Sequence, residues 1–221
     1  MSPTAFARPF RAIVEPGTDG TPQPEAHMDF SRNVVLKEGA TFLVADADGQ
    51  AREAERGLYQ NDTRLLRRYA WRWLGRGGEF QTLMADSPRL DEFHAHHALI
   101  VEGDQRLGIR RVIRLDAGGL DDRLEVENTS RERQSLSLEL EVEADFADVF
   151  EVRGWHRLER DPPAAAATGS RLELHHTASD GLRQAVRLDF DELAAARPDG
   201  ADWELSLAPG ERVTLDVTVV S

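Results

Sequence analysis

The chain has 221 residues, enough for a sizeable core, and its 40 acidic against 27 basic side chains give a formal charge of −13. Such a surface repels phosphate, which argues against non-specific binding to nucleic acid or to an anionic membrane. Cysteine is absent and Lys37 is the only lysine, which excludes disulfides, thiolate metal sites and a cysteine nucleophile and leaves lysine chemistry one candidate with no phosphate-loop motif around it.

Residues 1–30 read as a flexible N-terminal arm, because residues 15–24 hold three Pro and two Gly and no apolar period. Residues 1–10 lack the continuous apolar run of a secretory signal, and no segment approaches the ~20 apolar residues of a membrane span, so the chain is expected in the cytoplasm. From there to the end the dominant period is two, and residues 31–221 are expected to form one β-sandwich unit.

Residues 57–68 are dense in polar groups beside apolar ones. Asp62 and Arg64 are spaced for a charge-assisted pair, and Asp62 could equally cap a turn; a loop-to-strand corner is the plain structural reading. Next, Tyr69, Trp71 and Trp73 share one strand face, which suits either stacking on sugar rings or filling core volume between two sheets, the second being preferred. His94, His96 and His97, with His175 and His176 elsewhere, offer imidazoles without a third ligand, so no metal site is assigned to them.

The clearest strand runs through Leu136, Leu138, Leu140, Val142, Ala144 and Phe146, alternating with Glu139, Glu141, Glu143 and Asp145. The acidic face is expected to meet water or arginines of neighbouring strands, with Arg110, Arg114, Arg123 and Arg133 available, rather than a metal. Similar alternation marks Leu182, Val186, Leu188 and Phe190, then Val213, Leu215, Val217 and Val219, with turn signals between. Helical patterning is confined to residues 50–56 and 189–196, about two turns each. About fourteen strands with one-sided apolar faces predict an all-β fold, a large antiparallel β-sandwich with few short helices. No GxSxG, HExxH or Gly-rich phosphate loop is present, so no catalytic residue and no cofactor are assigned.

Three segments carry a family resemblance: residues 57–64 (GLYQNDTR), 122–128 (DRLEVEN) and 143–154 (EADFADVFEVRG). Together, and in this order, they resemble the N-terminal domain of bacterial and archaeal glycogen debranching enzymes of the amylo-α-1,6-glucosidase type, over about Asn33 to Val219. The resemblance implies a β-supersandwich that precedes an (α/α)6-barrel, the barrel carrying the acid and base carboxylates of the glycoside hydrolase. Twelve barrel helices need a helical patterning that these residues do not have, so the chain alone is expected to be inactive and to be an excised domain, a split-gene product or a free-standing relative. The partner implied is the barrel, in cis or in trans, with α-glucan as a further ligand. Tyr59, Asp62, Thr63, Arg64, Asp145, Asp148, Phe150, Glu151 and Arg153 then become candidates for a barrel interface or glucan contact, none inheriting a catalytic role. The competing reading is a free-standing carbohydrate-binding or oligomerisation module.

Overall fold

A computed structural model describes residues 33–52, 54–75, 78–155, 161–177 and 181–221; the arm expected over residues 1–30 lies outside them. The described residues form fifteen strands and one helical turn: β1 (Asn33–Glu38), β2 (Thr41–Asp46), β3 (Gly57–Gln60), β4 (Thr63–Gly75), β5 (Glu79–Arg89), β6 (Glu92–Val101), β7 (Asp104–Asp116), β8 (Gly119–Asn128), β9 (Gln134–Asp148), α1 (Val149–Val152), β10 (Ala164–Thr168), β11 (Arg171–Thr177), β12 (Arg183–Phe190), β13 (Ala195–Arg197), β14 (Gly200–Leu207) and β15 (Arg212–Val220). A seven-stranded sheet runs β1-β2-β3-β4-β9-β14-β13, and an eight-stranded sheet runs β10-β11-β12-β15-β8-β7-β6-β5. Every pairing between these strands is antiparallel.

The period-two pattern is what stacks the sheets. Leu136, Leu138, Leu140, Val142 and Phe146 on β9 are buried, as are Leu120, Leu124 and Val126 on β8 and Leu215, Val217 and Val219 on β15. All belong to one core between the two inner faces. Trp71 stacks on Trp73 at 5.6 Å and leans on Trp203 of β14 at 4.9 Å, so the aromatic stripe is core filling.

One buried polar group ties the sheets together. Asp122 of β8 accepts from Arg111 Nε and Nη2, from Tyr69 Oη at 3.0 Å and from Trp71 Nε1 at 2.9 Å. Arg111 and Asp122 are both fully buried, and Arg111 Nη1 also donates to the Gly49 carbonyl. Burial, and then the Asp122 charge, raise the Tyr69 phenol well above its ordinary range, which keeps it a donor.

Several expectations are corrected. Neither short helix forms. Ala51 makes a bridge with Tyr69, and Ala54 takes a positive φ of 56° that ends any helical path. At the second site Asp191 holds a turn by accepting from the Leu193 N–H, and Ala195 already belongs to β13. The one helical turn, α1, follows the longest strand and was given no helical signal by its apolar spacing. The acids of β9 are met by arginines of β4, not by those nominated: Arg72 by Glu139 and Arg68 by Glu141, whereas Arg123 pairs with Asp216 and Arg114 with Glu92. The reason is register, since β4 lies beside β9 with Arg72 opposite Glu139.

Candidate functional site

The motif at residues 57–64 is a tight hairpin. Asn61 and Asp62 have φ of 47° and 61°, the paired positive values that a two-residue turn between twisted strands requires. Gly57 stands where a Cβ would lie 2.3 Å from the Leu66 carbonyl oxygen, so only glycine lets β3 approach β4 this closely. Tyr59 is buried, stacks on Phe42 at 4.6 Å and donates to the Glu55 carbonyl.

Arg64 does not pair with Asp62. Its guanidinium reaches across to β9, donating from Nε and Nη2 to the two oxygens of Asp145 at 3.2 and 2.5 Å, and from Nη1 to the Ala54 carbonyl at 2.6 Å. The fork-to-fork geometry is the strong form of this interaction.

The second motif ends β9 and starts α1. Asp148 Oδ1 accepts from the Phe150 and Glu151 N–H groups at 2.7 and 3.0 Å, and Glu151 Oε2 accepts from the Asp148 N–H at 3.0 Å, a reciprocal capping box. The Val149 N–H donates to the Asp62 carbonyl at 2.9 Å, which fastens α1 to the β3–β4 turn.

Of the nine candidates, Tyr59 and Arg64 are thus buried, while Thr63, Asp145 and Glu151 are half-covered. Asp62, Asp148, Phe150 and Arg153 are exposed and gather at one end of the sandwich, held there by the turn and the cap. Sequence reasoning missed a neighbour: Trp155 is 69% exposed and Phe150 50%, with ring centroids 5.4 Å apart. An aromatic just past the Gly154 turn, where φ is 79°, was its only signal. The same end receives the β7–β8 turn, whose Ala117 carbonyl accepts from Gln60 Nε2, and Ser221, whose N–H donates to the Gly118 carbonyl at 3.4 Å.

A second feature lies on the outer face of the seven-stranded sheet. A groove of about 600 Å³ is lined by residues that include Arg68, Arg72, Glu139, Glu141, Arg197 and Asp202. Arg68 Nε donates to Glu141 at 2.7 Å, Arg72 Nη1 to Glu139 at 2.8 Å, and Arg197 Nε to Asp202 at 3.1 Å. Burial pushes the Glu141 carboxyl up, but the hydrogen bonds and charges of Arg68 and Arg72 outweigh it and hold it below its usual range. The rim is the β13–β14 turn, where Asp199 accepts the Val142 N–H through its carbonyl at 2.8 Å. A Cβ at Gly200 would lie 1.7 Å from the Leu140 carbonyl oxygen, so glycine is what brings this rim against β9.

Among the described residues, no group of three or more His, Cys, Asp and Glu could hold a metal ion, and no helix is long and apolar enough to cross a membrane. Two large antiparallel sheets closed face to face on one core define the β-supersandwich class. The same sandwich occurs in a putative aldose 1-epimerase from Escherichia coli K12 (TM-score 0.55, 12% identity, 85% of this chain and 98% of that one). It occurs also in a galactose mutarotase-like protein from Lactobacillus casei ATCC 334 (TM-score 0.53, 8% identity, 85% and 99%). These likenesses concern the fold. In sequence the chain matches the pattern of the N-terminal domain of (some) glycogen debranching enzymes over residues 36–218, and it belongs to that family. No curated protein matches it in sequence.

Proposed function

We propose that the chain acts as a non-catalytic N-terminal domain of an α-glucan debranching hydrolase, and that it docks an (α/α)6-barrel through the end of the sandwich carrying Phe150, Arg153 and Trp155. The observation that carries this reading is the pair of exposed aromatics in contact, Phe150 on the capped turn and Trp155 just past it. Side-by-side aromatic rings beside an arginine are the composition of a protein interface core rather than of a solvated face. The family membership supplies the kind of enzyme. The carboxylates of both motifs are engaged in folding contacts, Asp145 with Arg64 and Asp148 with the α1 cap, which supports a role without chemistry of their own.

The test is association with a debranching-enzyme barrel supplied in trans, read by titration calorimetry. The double change Arg153→Ala and Trp155→Ser is expected to weaken the complex at least tenfold while leaving the melting temperature unchanged. A complex of equal affinity with the variant would refute the docking surface. Release of reducing sugar from limit dextrin by the chain alone, above a heat-killed control, would refute the non-catalytic role.

A further inference from the structure

We infer that the groove on the outer face of the seven-stranded sheet is a binding site for an uncharged oligosaccharide, and specifically for a segment of α-glucan chain. The choice of α-glucan rests on the functional reading above; the class of ligand rests on the groove.

Its volume of about 600 Å³ falls in the range of small-ligand clefts, ~300–1,000 Å³. Unlike most such clefts it is lined mainly by charged residues. Three guanidiniums face five carboxylates, and Val142 is the one apolar residue. An apolar ligand would strip these groups of water and return nothing. The two-charge acidic excess opposes a phosphate or carboxylate ligand. A metal ion is disfavoured too, because the central acids are spent on arginines: Glu139 on Arg72, Glu141 on Arg68 and Arg72, and Asp202 on Arg197. An organic cation would meet the same engaged acids, since Glu143 and Asp199 are also paired, with Arg67 and Arg197. What remains is a neutral ligand able to donate and accept at short intervals, and a sugar hydroxyl does both.

The groove is also preorganised. The Arg–carboxylate pairs are cross-strand neighbours whose side chains are already held in one geometry, so less rotamer freedom is left to lose on binding. Each guanidinium keeps N–H groups beyond those used in its ion pairs, since it has five. The Gly200-dependent approach of β14 to β9 sets a firm rim. Continuing along β9, the ladder passes Arg67–Glu143 and ends at Arg64–Asp145, next to the end proposed to dock the barrel. A glucan lying in the groove would therefore be aligned toward that partner.

The test is a titration of the full chain, labelled with nitrogen-15, with maltopentaose, and separately with cellopentaose, inorganic phosphate and calcium chloride. Maltopentaose is expected to shift amides of β4, β9 and the β13–β14 turn saturably, and the other three to leave them unmoved. Arg72→Ala with Glu139→Gln should lower the affinity at least tenfold at an unchanged melting temperature. Should that variant fold poorly, Asp202→Asn on the rim serves the same purpose. No saturable shift up to millimolar maltopentaose, or equal affinity in a folded variant, would overturn the site. Equal binding of cellopentaose would overturn the α-glucan assignment, and shifts with phosphate or calcium alone would overturn the ligand class. Barrel association is read separately, so loss of docking with retained maltopentaose binding would leave this inference standing.

Discussion

Arg64 and Asp145, 81 residues apart in sequence, meet in a bidentate pair across the β4–β9 ladder, with Arg64 only 9% exposed. Two motif segments are thereby one structural unit. Removing one member of such a pair leaves the other charge poorly solvated, at a cost of about 3 kcal/mol. Arg64→Ala should lower the unfolding free energy by that order, whereas Arg153→Ala, at the exposed end of α1, should stay within about 0.5 kcal/mol. Urea unfolding of both variants checks this, and equal effects would mean that the buried pair does not hold the two strands.

The Arg111–Asp122 pair is the deeper case, because neither side chain has any exposed surface. Arg111→Met would leave the carboxylate facing only Tyr69 and Trp71, so a loss of about 3–5 kcal/mol is expected. Tyr69→Phe removes one of several donors and should cost about 1–2 kcal/mol. Chemical denaturation of the two variants should reproduce this order, and a Tyr69→Phe loss as large as that of Arg111→Met would contradict it.

These two pairs mark what the sequence could and could not convey. Alternation identified β9 and the two-sheet architecture, because a one-residue slip would turn Leu136 to Phe146 outward and no other register buries them. It could not identify partners, which depend on strand order: Arg68 and Arg72 lie about 70 positions from the glutamates they meet. The groove was invisible for the same reason, since Arg197 and Asp202 join it only when β14 pairs with β9. The GLYQNDTR and EADFADVFEVRG segments pointed to the right family, yet Asn61, Asp62, Arg64, Asp145, Asp148 and Glu151 within them prove to be turn, cap and ion-pair chemistry, which residue types alone do not separate from an interface. Trp155 was passed over because a single aromatic after a glycine has no period to reveal it.

The strand faces of β9 can be tested by neighbours. Leu138 is fully buried, and an aspartate there would place an unpaired charge in the core, costing several kcal/mol. Glu139 is on the outer face against a half-exposed Arg72, where an ion pair is worth at most about 1 kcal/mol. Leu138→Asp should therefore unfold the chain at room temperature, and Glu139→Gln should barely shift its melting curve. Circular dichroism with temperature distinguishes them.

Acid sensitivity should come in two limbs with separate origins. His97 is 3% exposed, lies 5.4 Å from the Trp73 ring and shares a hydrogen bond with Thr82 through Nδ1. Burial, and then the Arg111 charge, push its imidazole from 6.5 down to about 4. Between those values the unfolded chain takes up a proton that the folded chain refuses. Stability is therefore full above 6.5 and falls as the pH drops toward 4, by on the order of 3 kcal/mol for the complete shift. Below that, Glu92 takes over. Hydrogen bonds from His94 and Arg89, with Arg114 beside them, hold its carboxyl at about 2, so its contribution is present above 4.5 and is lost as the pH falls toward 2. Urea unfolding at pH 7, 5.5, 4.5 and 3 should show both limbs. His97→Gln should flatten only the first, and Glu92→Gln only the second. If His97→Gln leaves the slope between pH 6.5 and 4 unchanged, the buried imidazole is not its source.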